Sequence, residues 1–517
     1  MPEAPAGECR EVHSPASRSC TQQPANNSPR LEKYSGSAAE HSPSLANRVS
    51  LCGMHDLPSC LIPRRTALSV GATSFLGLTL PKLFAAEESS QSSPTLRKRA
   101  GRAKSVIFLY QFGGPSHVDT FDMKPNAPEG IRSLFEQIDS AVPGLRICEH
   151  LPQTAKVLDK VTLVRTVFHT MKNHNSAAYH ALTGHAPPVD DIRLKDSIEL
   201  FPAYGSVVDR IAPTAETMPS FVSLPHVIRD GSITPGQHAS FLGKRHDPLL
   251  ITADPNDSGF KLPELSLPSN LSADRLQSRR ELQRIISQQT RLLEYSATAR
   301  GIDEYYDRAL AMLSSSRVRD AFDLSRERQQ TRDAYGRTTY GQSCLLATRL
   351  VEAGVKFVNV YFDESIGGQS TTNGGWDTHG FNDTRAYPIL KARHLPMTEQ
   401  TLPTLLNDLE QRGLLDTTLV VWMGEFGRTP KLNSNISRDH WPNCYTVLLA
   451  GGGVKRGHVH GQSDKNGAYP DRDPVPLGDL AATLFAALGI DPDTELRDKL
   501  NRPLPAANGK PVWGVFA

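Results

Sequence analysis

Five stretches of continuous apolar residues punctuate the chain, each closing on glycine or on polar side chains. They are KSVIFLYQFGG (104–114), KVTLVRTV (160–167), GVKFVNVYFD (354–363), TTLVVWMGEFG (417–427) and YTVLLAGGG (445–453). Runs this short and this rich in β-branched and aromatic residues predict strands; the first reads as a buried parallel strand feeding a loop. Between them the pattern lengthens to helical spacing over Ala273–Ser296, Tyr340–Ala353, Met397–Arg412 and Leu477–Leu488. Strands alternating with helices predict an α/β sheet covered on both faces. Residues about 228–335 break the alternation with long charged helical segments such as SADRLQSRRELQRIISQQTRLLEYS. They are expected to form an inserted helical lid or interaction surface, with solvated charges on one face. There is no internal repeat.

Ahead of the first strand the pattern changes character. Residues 1–53 are rich in Ser, Pro, Ala and Asn and have no hydrophobic period, so they are expected to be disordered or, with Met54 as an alternative start, untranslated. From Met54 an Arg pair, Arg64-Arg65, precedes an apolar run from Ala67 to Leu80, then Pro81 and the small residues Ala85-Ala86. That order predicts a twin-arginine signal peptide over 54–86, cleaved near Ala86. The run is too short to span a bilayer comfortably, so no stable membrane span is expected after cleavage. The expected location is periplasmic or extracellular. Residues 87–104 read as a polar linker before a domain over 105–517.

Composition narrows the partners. Lys+Arg number 57 against Asp+Glu 55, a net charge of +2, and no basic tract interleaves with aromatics. No nucleic-acid partner is expected. The seven cysteines lack CxxC or zinc-finger spacing, and three (Cys148, Cys344, Cys444) remain once the leader is removed. A disulfide framework is therefore not expected.

The candidate chemistry lies where the apolar runs end. In an open parallel sheet, ligands bind beyond the carboxyl ends of the strands. The first strand runs into His117 and Asp119, the second into His169, His174 and Ser176, the third into GGWDTHG with Asp377 and His379. The fourth leads to Glu425, Arg428, Asp439 and His440, and the fifth to His458 and His460. In extended backbone, residues two apart point the same way, so Asp377 and His379 would face one point, as would His458 and His460. Carboxylates beside imidazoles suit zinc, manganese or iron better than calcium. The expected metal ligands are Asp377, His379, Glu425 and His440, with Asp439 and one of His458 or His460 nearby. No HExxH, nucleophile elbow or GxGxxG is present.

At FGGPSHVDTFD, GGWDTHG, GEFGRTP and RDHWP the chain resembles the domain of unknown function 1501 family. The resemblance runs from about Ser105 to Ile490. That family is grouped with the alkaline phosphatase and sulfatase superfamily. It implies a three-layer α/β/α sandwich with a mostly parallel central sheet, and a site using two metals or one calcium with a Ser, Thr or modified Cys nucleophile. GGWDTHG resembles the superfamily's Asp-then-His metal motif, which implies Asp377 and His379 as ligands. TLVVWMGEFGRTP resembles the late strand that ordinarily ends in Asp-His or Asp-Asn; here Glu425 replaces the Asp and Phe426 stands where the second ligand belongs. NHNSAAYHALTGH resembles the sulfatase segment ending in Leu-Thr-Gly, with the nucleophile position falling on His174 and Ser176 two places on. The first strand ends in Gln111-Phe112-Gly113 instead of Asp, so that ligand is missing or is supplied by His117 or Asp119.

These readings lead to an exported, metal-dependent hydrolase of phosphate or sulfate esters, acting on a small-molecule or polysaccharide ester. Water activated by the metal is expected to attack, with His117, His174 or Arg428 stabilising anionic oxygens. The alternative is a catalytically inactive periplasmic or surface protein that binds a glycan or other ligand in the same place.

Overall fold

A computed structural model of the chain describes residues 101–214, 218–260, 315–367, 372–380 and 385–517. The leader segments 1–53 and 54–86, most of the linker 87–104 and the helix expected over Ala273–Ser296 lie outside the described residues. All five apolar runs are strands. In chain order the elements used below are β1 (Ser105–Tyr110), β2 (Val161–Phe168), α1 (His174–Thr183), α2 (Tyr204–Ile211), β3 (Phe221–Leu224), β4 (Leu249–Leu250), α3 (Thr339–Glu352), β5 (Phe357–Tyr361), α4 (Leu395–Gln411), β6 (Thr418–Met423), β7 (Tyr445–Ala450), β8 (His458–His460), β9 (Val475–Pro476) and α5 (Leu477–Ala487).

The strands form one sheet in the order β8-β2-β7-β6-β1-β5-β3-β4, with β9 also on β2. Every pairing is parallel except those of β7, which runs antiparallel to both β6 and β2. Alternation along β1 sorts the core. Ile107 and Leu109 face one layer with α3 and α4, while Val106, Phe108 and Tyr110 face another with α1, α2 and α5. The result is a three-layer α/β/α sandwich with a mostly parallel sheet. β1 is buried on both faces, which is why its sequence runs apolar from Val106 onward.

Within the stretch 228–335, residues 261–314 lie outside the described residues. Residues 228–260 carry a small hairpin (Arg229–Asp230 against Ser232–Ile233) and the strand β4; 315–335 carry helices Ser316–Phe322 and Gln329–Ala334. Among the described residues no helix is long and apolar enough to cross a membrane, and Cys148, Cys344 and Cys444 are buried and free.

Candidate metal centre

The carboxyl ends of β1, β2, β5 and β6 and the entry to β7 meet at one rim of the sheet. The loop that carries Asp377 is drawn onto that rim by backbone bonds: Trp376 N–H donates to the Phe112 carbonyl at 2.7 Å, and Asp377 N–H to the Ile366 carbonyl at 3.0 Å. Trp376 is 1 % exposed, and its indole N–H donates to Gln111 at 3.1 Å. The Trp in GGWDTHG is thus an anchor in the core, and the Asp after it is held at the surface of that core. Gly113, at φ +105°, makes the approach feasible, since a Cβ there would lie 2.3 Å from the Asp377 nitrogen.

Around Asp377 Oδ1 three groups converge: Arg428 at 2.7 Å, His440 Nε2 at 3.0 Å and His174 Nε2 at 3.4 Å. His174, Asp377 and His440 each offer one ligand atom, all within 4.8 Å of one another. The other ring nitrogens are already committed. His174 Nδ1 donates to Glu425 Oε1 at 2.7 Å, and His440 Nδ1 donates to the Lys172 carbonyl at 2.8 Å. A neutral imidazole carries one N–H, so both Nε2 atoms turn lone pairs toward a carboxylate oxygen. His174 Nε2 is buried with no hydrogen-bond partner. Lone pairs facing lone pairs call for a cation between them.

Protonation can supply that cation at only one ring. Burial disfavours a charge on His174, but the contacts with Asp377 and Glu425 override it and push the ring up to about 9. Burial lowers His440 to about 4, and the charges of His174 and Arg428 act the same way against the pull of Asp377. Burial works against the Asp377 carboxylate too, yet Arg428, His174 and His379 hold it well below the usual carboxylate range. A divalent ion would satisfy both imidazoles and the carboxylate at once. Donor separations of 3.0 and 3.4 Å are close to the roughly 3.4 Å expected for ligands about 2.1 Å from a tetrahedral ion. The donor set fits a transition-type ion, and the Glu425–His174 pair has the carboxylate–imidazole arrangement that orients metal ligands.

The remaining candidates are distributed as follows. Glu425 is fully buried and sits behind His174, with the Gly113 N–H also on its Oε1 at 2.8 Å. His379 Nε2 lies 3.0 Å from Asp377 Oδ2, the other oxygen from the one His174 approaches, with Asp439 at 3.9 Å from its Nδ1. Arg428 does not offer its guanidinium to a substrate anion. It is 1 % exposed and donates to the carbonyls of Gly113, Gly114, Trp376 and Arg438 as well as to Asp377. Its work is to pin the loop.

Five of the expected residues are not brought to the cluster. Asp119 pairs with Arg438 at 2.7 Å and accepts from Tyr387 and Ser116, all buried. His117 Nε2 donates to the Gly467 carbonyl at 2.7 Å. Ser176 is tied to the backbone of Asp191, donating at 3.0 Å and accepting at 2.8 Å. His458 and His460 follow the antiparallel β7, whose carboxyl end is at the opposite rim; on β8 they return only as far as Val164 of β2. That is four residues, or about 13 Å, short of the end of β2. Phe426, in the place of a second ligand, stacks on His440 with ring centroids 4.4 Å apart.

Two supporting groups carried no signal in the residue types. The Lys172 carbonyl fixes the His440 tautomer through backbone alone. Asp190 accepts from the backbone N–H groups of Lys172 and Asn173 at 2.9 and 3.1 Å, holding the turn that delivers His174. An Asp 17 residues from the turn it holds gives no hint in the sequence that it folds back on it.

Several solved structures are similar to the chain in overall course. One is Ps i-CgsB in complex with k-i-k-neocarrahexaose, at 11 % identity and TM-score 0.39, covering 79 % of this chain and 75 % of that one. Another is the PsFucS1 sulfatase from Pseudoalteromonas sp., at 12 % identity and TM-score 0.36, covering 83 % and 72 %. A third is a protein in the alkaline phosphatase superfamily from Vibrio parahaemolyticus, at 10 % identity and TM-score 0.35, covering 76 % and 67 %. No curated protein matches the sequence. The model of the family described as "Protein of unknown function (DUF1501)" matches residues 103–516, and the chain belongs to that family.

Proposed function

We propose that the chain is an exported, metal-dependent hydrolase of phosphate or sulfate esters, with His174, Asp377 and His440 as the ion's ligands. The observation that carries this reading is the pair of buried imidazoles whose Nδ1 protons are spent on Glu425 and Lys172 while both Nε2 atoms meet Asp377 Oδ1. A divalent ion held there supplies Lewis acidity toward an ester oxygen and makes water a competent nucleophile near neutral pH. Glu425 fixes the tautomer of His174 and raises its basicity as a ligand. Arg428 holds the Asp377 carboxylate ionised and in place. His379, on Asp377 Oδ2, stands beside the ligand set with Asp439 behind it, and would extend that set or meet the substrate.

Elemental analysis and turnover of aryl phosphate and aryl sulfate test the proposal together. Stoichiometric zinc, manganese or iron, lost in Asp377→Ala and His174→Ala together with turnover, supports it. A metal-free protein that turns over neither ester refutes it. A second reading, a non-catalytic glycan- or ester-binding protein on the same rim, draws on a different observation. The position that the resemblance gives to a nucleophile is His174, whose ring is already engaged by Glu425 and Asp377. Ligand binding with no turnover would favour that reading. Export through the Arg64-Arg65 leader is part of the proposal; replacing both with Lys should leave the protein in the cytoplasm.

A further inference from the structure

The loop that presents Asp377 leaves the end of β5, and a side chain from another element closes it at the base. Asp363 and Gly374, 11 residues apart, meet there: Gly374 N–H donates to Asp363 Oδ2 at 3.1 Å. Arg393 joins both. Its Nη2 donates to the same Oδ2 at 2.8 Å, and its Nη1 donates to the Gly374 carbonyl at 2.5 Å. One guanidinium, one carboxylate and the N–H and C=O of a single glycine thus form a closed clasp. The side chains of Arg393 and Asp363 are only 11 % and 19 % exposed, so the clasp is largely shielded from water. The guanidinium also lies 5.1 Å from the centre of the Phe362 ring, within cation–π range.

The clasp sits just ahead of Asp377 in the chain. Gly374, at φ +92°, and Gly375 precede Trp376, and two glycines in a row would leave the backbone free to swing unless something outside the loop held it. His394 works beside Arg393. Its fully buried ring stacks on Trp376, with centroids 4.6 Å apart and planes 27° apart, and its Nε2 lies 3.4 Å from the same Gly374 carbonyl. Both residues belong to a π-helical turn, Leu390–His394, that joins the helix Ala386–Ile389 to α4. Successive residues of an α-helix point about 100° apart; here both reach one carbonyl. Turns of this kind recur at functional sites.

We infer that Arg393 is a positioning residue of the metal centre: by closing the loop on Asp363 and Gly374 it sets where the Asp377 carboxylate stands. The inference rests on the metal-binding part of the proposed function and not on the ester chemistry. Arg393 acts through the loop, since its contacts are with Asp363, Gly374 and Phe362 and not with the ligands themselves. A Lys in its place would keep the charge beside Asp363. It could not hold a carboxylate and a carbonyl together with a planar fork.

The test measures zinc affinity, by competition with a chelator, and thermal unfolding of the metal-free full chain for wild type, Arg393→Lys, Asp363→Asn and Arg349→Lys. Arg349 is the control. Its side chain is equally buried at 12 % exposure, and it is held by Glu327 at 2.6 Å and the Ala321 carbonyl at 3.0 Å, neither of which belongs to the loop. The expected result is zinc binding about 10–100-fold weaker in Arg393→Lys and in Asp363→Asn, with Arg349→Lys binding as wild type does. A structural role alone would lower the unfolding temperature in all three and change zinc affinity in none. Unchanged affinity in both clasp variants, or an equal loss in Arg349→Lys, overturns the positioning role and leaves the metal reading intact. A wild type that binds no zinc overturns the metal reading, and this inference with it. If Arg393→Lys fails to fold, the near-isosteric Asp363→Asn decides the comparison.

Discussion

Glu425 Oε1 and His174 Nδ1 lie 2.7 Å apart at positions separated by 251 residues of chain. One end of a β-strand thereby sets which nitrogen of a helix-borne imidazole is free. Glu425→Gln keeps the shape and removes the charge that orients and polarises His174. It should weaken metal binding about 10–100-fold while the protein stays folded. Competition with a chelator of known affinity measures the change; an unaltered affinity would separate Glu425 from the metal centre.

The ligand assignment makes a sharper contrast. His174→Ala, Asp377→Ala and His440→Ala should each abolish stoichiometric metal in the purified protein. His458→Ala and His460→Ala should retain it, since both residues sit partway along β2, toward the opposite rim. Elemental analysis of the five variants decides between this set and any in which β8 contributes.

Acid and base act on the fold with opposite signs at different histidines. In the metal-free protein His174 is raised to about 9, so its stabilising contribution is complete below about pH 6.5 and is lost as pH rises through about 9. His440, His169 and His185 are lowered to about 4, chiefly by burial. Between about pH 6.5 and 4 the unfolded chain binds protons at these positions that the folded chain refuses. Stability should fall through that window by about 1.4 kcal/mol per pH unit for each ring. Urea unfolding at a series of pH values measures both limbs. The proton on His174 must also leave when a metal arrives. Apparent affinity should therefore climb by close to tenfold per unit from neutrality toward about pH 9.

Gly113→Ala tests the close approach under Asp377. The added Cβ would meet backbone at 2.3 Å in a left-handed conformation, which should cost at least ~2 kcal/mol and displace Asp377. Gly130→Ala is the control: its φ is +79° and nothing lies within 4 Å, so about 1 kcal/mol of backbone strain with unchanged metal content is expected. Thermal unfolding and metal content, read together, separate the two effects.

The strands were legible because burial on both faces leaves an unbroken apolar signature, as in Ser105–Tyr110. Strand direction was not. Tyr445–Ala450 has the same composition as a parallel strand, and nothing in it announces that it runs the other way. That reversal is what sends His458 and His460 to the wrong rim and delivers His440, which precedes the strand, to the right one. The loop position of Asp377 at the rim was legible because glycines around an Asp-x-His are poor material for anything but a loop. The contacts of Glu425 with His174 and of Arg428 with Asp377 were not, because residue type does not say which neighbour a buried charge will hold. Ser176 shows the same limit: two residues along a helix turn a side chain well away from the direction of His174.

The strand at the middle of the sheet is also the first one made. β1 takes its two partners from β5 and β6, with Ser105 beside Thr418 and Val106 beside Phe357. During synthesis it must wait, unpaired and largely apolar, until most of the polypeptide has emerged. Such a segment is a natural target for chaperones and for misassociation between nascent chains. The candidate cation site, built on the same late-meeting strands, can exist only once that wait is over, so an ion captured there would report that folding is complete.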